Sequence, residues 1–121
     1  MIRVLLVEDH AAFRGALAFL LGREPDLEVV AQAGSLAEAR EVLDGRFEVA
    51  VVDLALPDGD GSELIGELHR ANPGVSVLVL SATIGSGHLD EVRKVAGAEA
   101  VLTKVESTLI IAEEVRRLAY G

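Results

Sequence analysis

Five short apolar runs, several rich in valine, recur along the chain and alternate with stretches whose apolar residues fall at helical spacing. Ile2 to Val7 reads as a buried strand, and Ala11 to Gly22 follows as a helix with Phe13, Ala16, Leu17, Leu20 and Leu21 on its inner stripe. Gly22 and Pro25 end that helix. Glu28 to Ala31 is the second strand. Ser35 and Glu38 then stand in capping-box register and open a helix through Leu43, with Ala39, Val42 and Leu43 inward. Val49 to Asp53 is the third strand, Ser62 to His69 the third helix with Leu64, Ile65 and Leu68 inward, and Val75 to Leu80 the fourth strand after a turn at Asn72. Gly85, Ser86 and Gly87 lead into a helix carrying Leu89, Val92 and Val95, and Ala100 to Leu102 is a short fifth strand. Ser107 caps a final helix with Ile111, Val115 and Leu118 inward. Successive parallel strands need right-handed helical crossovers, and near-continuous apolar strands are covered on both faces. The pattern therefore predicts an α/β domain with a parallel sheet between two helical layers.

The strands end in polar residues. Glu8 and Asp9 follow the first, Asp53 ends the third, Ser81 the fourth, and Lys104 follows the fifth. A charge at the end of a buried strand costs several kcal/mol unless something pairs with it. In open parallel sheets ligands bind beyond the carboxyl ends of the strands, so one edge collects these groups. Carboxylates converging there repel each other unless a cation intervenes, and an all-oxygen set suits a hard ion such as Mg²⁺ or its substitute Mn²⁺. A lysine and a hydroxyl facing a metal-bound carboxylate are what a phosphoryl group requires, with Asp53 as the in-line nucleophile.

Charge and composition narrow the alternatives. With 20 acidic against 11 basic residues the net charge is −9, which argues against direct nucleic-acid binding by this segment and against an anionic membrane surface. There is no cysteine, hence no disulfide and no thiolate metal site. No apolar run is long enough to span a bilayer, the N-terminus lacks the pattern of a signal peptide, and a cytoplasmic location is expected. Competing motifs fail residue by residue. "DGDGSE" has Glu63 where an EF-hand needs glycine, and "GSGHLD" has Asp90 where a dinucleotide fingerprint needs its third glycine. There is no Gly-Lys-Ser/Thr of a P-loop. An aspartate-nucleophile phosphatase would need a second aspartate two residues after Asp53, and Ala55 donates no proton. His10 is expected to help start the first helix, His69 and His88 to be surface residues, and Asp58 to Gly61 to serve as a turn without chemistry.

The pieces "LLVEDH", "VVDLALPDGDG", "LVLSAT" and "VLTK", in this order and at these strand ends, resemble the receiver domain of bacterial two-component response regulators over the whole chain. "IRVLLVEDHAAFRGALAFLL", "PDLEVVAQAGSLAEA" and "GAEAVLTKV" look most like the NarL/LuxR class. The resemblance implies a flavodoxin-like, CheY-like three-layer sandwich, with a five-stranded sheet of order 2-1-3-4-5 and five helices. It implies a receiver over residues 1–121, with a helix-turn-helix DNA-binding domain following in the full-length protein and absent here. Asp53 would accept a phosphoryl group from a sensor histidine kinase. Asp9, Asp53 and the main-chain carbonyl of Ala55 would bind Mg²⁺ (or Mn²⁺), with Glu8 acting through water. Lys104, Ser81 and Ala82 would bind the phosphoryl group, and Ser81, Thr83 and Val101 would form the switch region. The output would be altered protein–protein contacts, including a homodimer of the phosphorylated form, that control transcription without turnover of foreign substrates. The alternative is a stand-alone or phosphorylation-independent receiver acting as an adaptor. Two positions depart from the common receiver pattern: Val101 stands where many carry Tyr or Phe, and Val105 where many carry proline. An inward swing of an aromatic ring is therefore not available to this chain.

Overall fold

The structure, a computed structural model, describes residues 1–81 and 97–121. Its elements are β1 (Ile2–Val7), α1 (Ala11–Gly22), β2 (Leu27–Ala33), α2 (Leu36–Glu41), β3 (Val49–Asp53), β4 (Ala55–Leu56), β5 (Gly59–Asp60), α3 (Ser62–Ala71), β6 (Ser76–Ser81), β7 (Ala100–Thr103) and α4 (Thr108–Tyr120). The main sheet is parallel throughout, in the order β2-β1-β3-β6-β7. Counting its own strands alone, this is the expected 2-1-3-4-5 arrangement of a flavodoxin-like fold. The remaining pair, β4 and β5, is a two-residue antiparallel ladder directly after β3. The expected helix bearing Leu89, Val92 and Val95, the lead from Gly85 to Gly87, His88, Ala82 and Thr83 lie outside the described residues.

Alternation along the strands divides the core in two. Val4 and Leu6, Val49 and Val51, Leu78 and Leu80 pack with Leu17 and Leu21 of α1 and with Ile111, Ala112 and Val115 of α4. Their neighbours Leu5 and Val7, Ala50 and Val52, Val77 and Val79 pack with Leu36 and Ala39 of α2 and with Leu64, Ile65 and Leu68 of α3. Each valine, leucine or isoleucine among these side chains, taken out of water on either face, contributes about 1.5–3 kcal/mol, and the alanines less. This is why the central strands are apolar from Val4 to Val7, from Val49 to Val52 and from Val77 to Leu80, with Arg3 and Ser76 near the strand starts.

Helix ends follow the expected chemistry. Ser35 Oγ accepts from the Glu38 N–H at 3.1 Å, Ser107 Oγ from Ile110 N–H at 3.3 Å, and His10 Nδ1 from Phe13 N–H at 3.3 Å. The Glu38 carboxylate reaches back one residue further than a capping box requires, to the Gly34 N–H.

Several boundaries and faces differ from the sequence reading. The second strand runs to Ala33 rather than Ala31, because an edge strand keeps pairing its backbone (Leu6 with Gln32) even where a polar side chain interrupts the apolar run. α2 ends at Glu41, its chain tightening into turns at Val42 and Gly45, while Val42 and Leu43 still pack on the core. α3 continues past His69 to Ala71 and stops where Pro73 disfavours a helical Asn72. The fourth strand is shifted one residue, to Ser76–Ser81, and the fifth includes Thr103. On α1, Ala16 and Leu20 lie on the solvent side while Phe13, Leu17, Ala18 and Leu21 face the sheet. A helix covering one half of a sheet buries a narrower stripe than its apolar content offers.

Candidate functional site

The period of two that builds the core also aims the charges. Residues 4 and 6 of β1, 49 and 51 of β3, and Ala100 of β7 share the α1/α4 side of the sheet, with Leu102 packed against it. Continuing each alternation by two places gives Glu8, Asp53 and Lys104. Strands in parallel register therefore deliver these three side chains to one side of the same edge.

There the Lys104 ammonium lies 3.0 Å from Asp53 Oδ2 and 2.8 Å from the Glu8 carboxylate, to which it donates a hydrogen bond at Oε1. Both acids are buried, Glu8 at 1% and Asp53 at 4% exposure, whereas Asp9 next to them is exposed. Backbone donors complete the arrangement: Ala55 N–H donates to Asp53 Oδ1 at 3.0 Å, and His10 N–H to Glu8 Oε1 at 3.1 Å. The turn that carries Glu8 and Asp9 is fastened by Arg14, whose Nη1 donates to the Glu8 carbonyl at 2.6 Å. Lys104 is fastened in turn by its own N–H, which donates to the Ser81 carbonyl at 2.9 Å.

Electrostatics follow from this geometry. Burial pushes the Glu8 carboxyl above the usual glutamate range, and the hydrogen bond from Lys104 offsets only part of the rise. Burial also works against the Lys104 charge, but its hydrogen bonds to Glu8 and Asp53 outweigh that and hold the ammonium above the ordinary lysine value.

Glu8, Asp9 and Asp53 each offer an oxygen within 4.8 Å of the others. Three carboxylates face a single ammonium, which lies 2.8 Å from Glu8 and 3.0 Å from Asp53. An oxygen-only cluster of three acidic side chains, more than one ammonium balances, fits a hard divalent cation. The residues present are therefore suited to Mg²⁺ or Mn²⁺.

Of the remaining predicted residues, Ser81, Ala55 and Val101 are among those described. Ser81 is buried at the end of β6, paired in register with Thr103, and Ala55 is exposed two residues beyond Asp53. Val101 is half-buried on the opposite side of the sheet, against the α2/α3 core. Three features escaped the sequence reading. Phe13 places its ring 5.2 Å from Lys104 Nζ. Asp58, read as a plain turn residue, accepts from the N–H groups of Leu36 and Ala37 at 2.8 and 3.0 Å and so caps α2 from outside it. His69, read as an ordinary surface residue, pairs with Glu99 at 2.8 Å. Only the aspartate in a glycine-containing loop carries a local hint of its role; the other two depend on contacts made by folding.

Residues 4–116 match the family model of the response regulator receiver domain. The chain is 39% identical, over its whole length, to the DNA-binding transcriptional activator DevR/DosR of Mycobacterium tuberculosis, of which it covers 56%. A two-component response regulator of the LuxR family from Aurantimonas sp. SI85-9A1 matches with a TM-score of 0.86 and 26% identity, over 98% of this chain and 85% of that one. A response regulator from Burkholderia pseudomallei, solved with a phosphorylated aspartic acid, a calcium ion and citrate, matches with a TM-score of 0.80 and 29% identity over 97% of this chain and 72% of that one. The chain spans about half the length of the curated transcription regulators it matches.

Proposed function

The chain belongs to the response regulator receiver domain family, and from that premise we propose that Asp53 accepts a phosphoryl group from the phosphohistidine of a sensor histidine kinase. The observation that carries this reading is the meeting of Asp53, Glu8 and Lys104, remote in sequence, within 3.0 Å contacts at one sheet edge. In the transfer an Asp53 carboxylate oxygen attacks phosphorus, the P–N bond to the donor imidazole breaks, and its electron pair stays on the ring nitrogen. Lys104 turns its ammonium toward the phosphoryl oxygens and neutralises the charge that builds there. Asp9, Asp53 and the Ala55 carbonyl would hold Mg²⁺ or Mn²⁺, with Glu8 through water, and the ion would supply further charge neutralisation. Phosphate held this way draws in Ser81 and the Ala82 N–H, and Ser81, Thr83 and Val101 carry the change to the surface. The phosphorylated aspartate and calcium ion of the Burkholderia protein support this assignment by analogy.

The output we propose is a change of protein–protein contacts, including homodimer formation, that governs a DNA-binding domain continuing the chain, in a cytoplasmic transcription regulator. The length and DNA-binding character of the matched relatives support it. Incubating the chain with Mg²⁺ and a small phosphodonor, then weighing the intact protein, tests the chemistry. A single phosphoryl adduct that disappears in Asp53→Asn is expected. A folded wild-type chain that gains no mass sinks the proposal and leaves a phosphorylation-independent adaptor.

A further inference from the structure

We propose that Phe13 is a positioning residue for phosphoryl transfer, its ring holding the Lys104 ammonium over Asp53; the assignment rests on the phospho-acceptor reading of the site. The ring centroid of Phe13 lies 5.2 Å from Lys104 Nζ, within the range where an aromatic face attracts a cation. The same ammonium meets Glu8 and Asp53, at 2.8 and 3.0 Å. Its side chain is only 20% exposed, so the attraction is not fully screened by water.

Phe13 sits where such a role is possible. Its N–H is fixed by His10 at the start of α1, and its side chain packs against the core beside Leu17. The ring is therefore anchored by the same helix start that follows the Glu8 and Asp9 turn. A lysine stem has four flexible carbons, and much of its freedom must be removed before the charge can meet a phosphoryl group in one place. Carboxylates alone do not do this. Glu8 and Asp53 both draw the ammonium toward the floor of the site, and when Asp53 carries the phosphoryl group the charge must follow its oxygens. An aromatic face has no direction-specific hydrogen bond, so it keeps the ammonium in the pocket while letting it turn from one acceptor to the next. An aliphatic residue of similar bulk fills the space but offers no such attraction.

The test compares Phe13→Leu with Phe13→Tyr, which keeps the ring. With Mg²⁺ and acetyl phosphate, followed by intact mass, Phe13→Leu is expected to take up the phosphoryl group about three- to tenfold more slowly, and Phe13→Tyr to stay near wild type. Before any donor is added, the Lys104 ε-methylene protons of the wild type should show an upfield ring-current shift by NMR, absent in Phe13→Leu and present in Phe13→Tyr. Wild-type rates in Phe13→Leu, or equal slowing in both variants, overturn the assignment of Phe13 and leave the phospho-acceptor reading standing. A wild-type chain that shows the ring-current shift but gains no phosphoryl group overturns both.

Discussion

Lys104 and Asp53, separated by 51 positions, form a 3.0 Å ion pair at the sheet edge, and the same ammonium neutralises Glu8. Removing it leaves two buried carboxylates facing each other. Lys104→Met should lower stability by about 1–3 kcal/mol in urea denaturation, because buried acceptors lose their donor. The loss should stay below that of a fully buried pair, since a fifth of the side chain meets solvent. Divalent cation should restore part of it. An unchanged denaturation midpoint would show that the pair adds nothing.

Mg²⁺ should raise the melting temperature, since it binds the assembled carboxylates and not the unfolded chain; at one hundred times Kd the gain is about 2.7 kcal/mol. Asp9 is exposed, so Asp9→Ala should change metal-free stability by no more than about 0.5 kcal/mol while suppressing the Mg²⁺ effect. Calorimetric melts with and without Mg²⁺ measure both quantities. Equal Mg²⁺ increments in wild type and variant would remove Asp9 from the ligand set.

Gly61 permits a close approach of backbones beneath the site. A Cβ there would stand 2.7 Å from the Asp53 carbonyl oxygen and 2.8 Å from Leu54 Cα, neither of which can move without shifting the turn that follows Asp53. Gly61→Ala should therefore cost about 1–3 kcal/mol and slow phosphorylation of Asp53. Gly74→Ala, where a Cβ meets nothing, is the matched control.

The α2 cap makes acid stability partly a property of one carboxylate. The N–H groups of Leu36 and Ala37 hold the Asp58 carboxyl below the usual aspartate range. A depressed folded-state value means the stabilisation is present above the ordinary aspartate value, about 3.9, and fades as pH falls through the lower folded value. Melting temperatures measured down this range should fall less steeply in Asp58→Asn than in wild type. Parallel curves would show that the cap carries no linkage.

Legibility in the sequence tracked the range of the interaction involved. Ser35, Ser107 and His10 were readable as caps because a cap acts on an N–H two or three residues away. Leu64, Ile65 and Leu68 were readable as the inner face of α3 because its charges occupy the other face. The stripe on α1 was less readable. That helix is apolar around most of its circumference, so periodicity alone did not separate Leu21, fully buried, from Leu20, 41% exposed.

By itself the sequence determined that this chain alternates strand and helix, that its strands are covered on both faces, and that Asp9, Asp53 and Lys104 stand at strand ends able to meet. Those conclusions rest on side-chain periods and on chain connectivity, which operate over a few residues. Only the tertiary structure decided that Glu8 rather than Asp9 is the buried acid, that Lys104 bridges Glu8 and Asp53, that Phe13 lies over the ammonium, and that Asp58 caps a helix that begins 22 positions earlier. Each of these is set by how neighbouring strands align in register and where a helix rests on the sheet. Such relations join residues whose separation along the chain carries no period, so they come into being only when the layers pack.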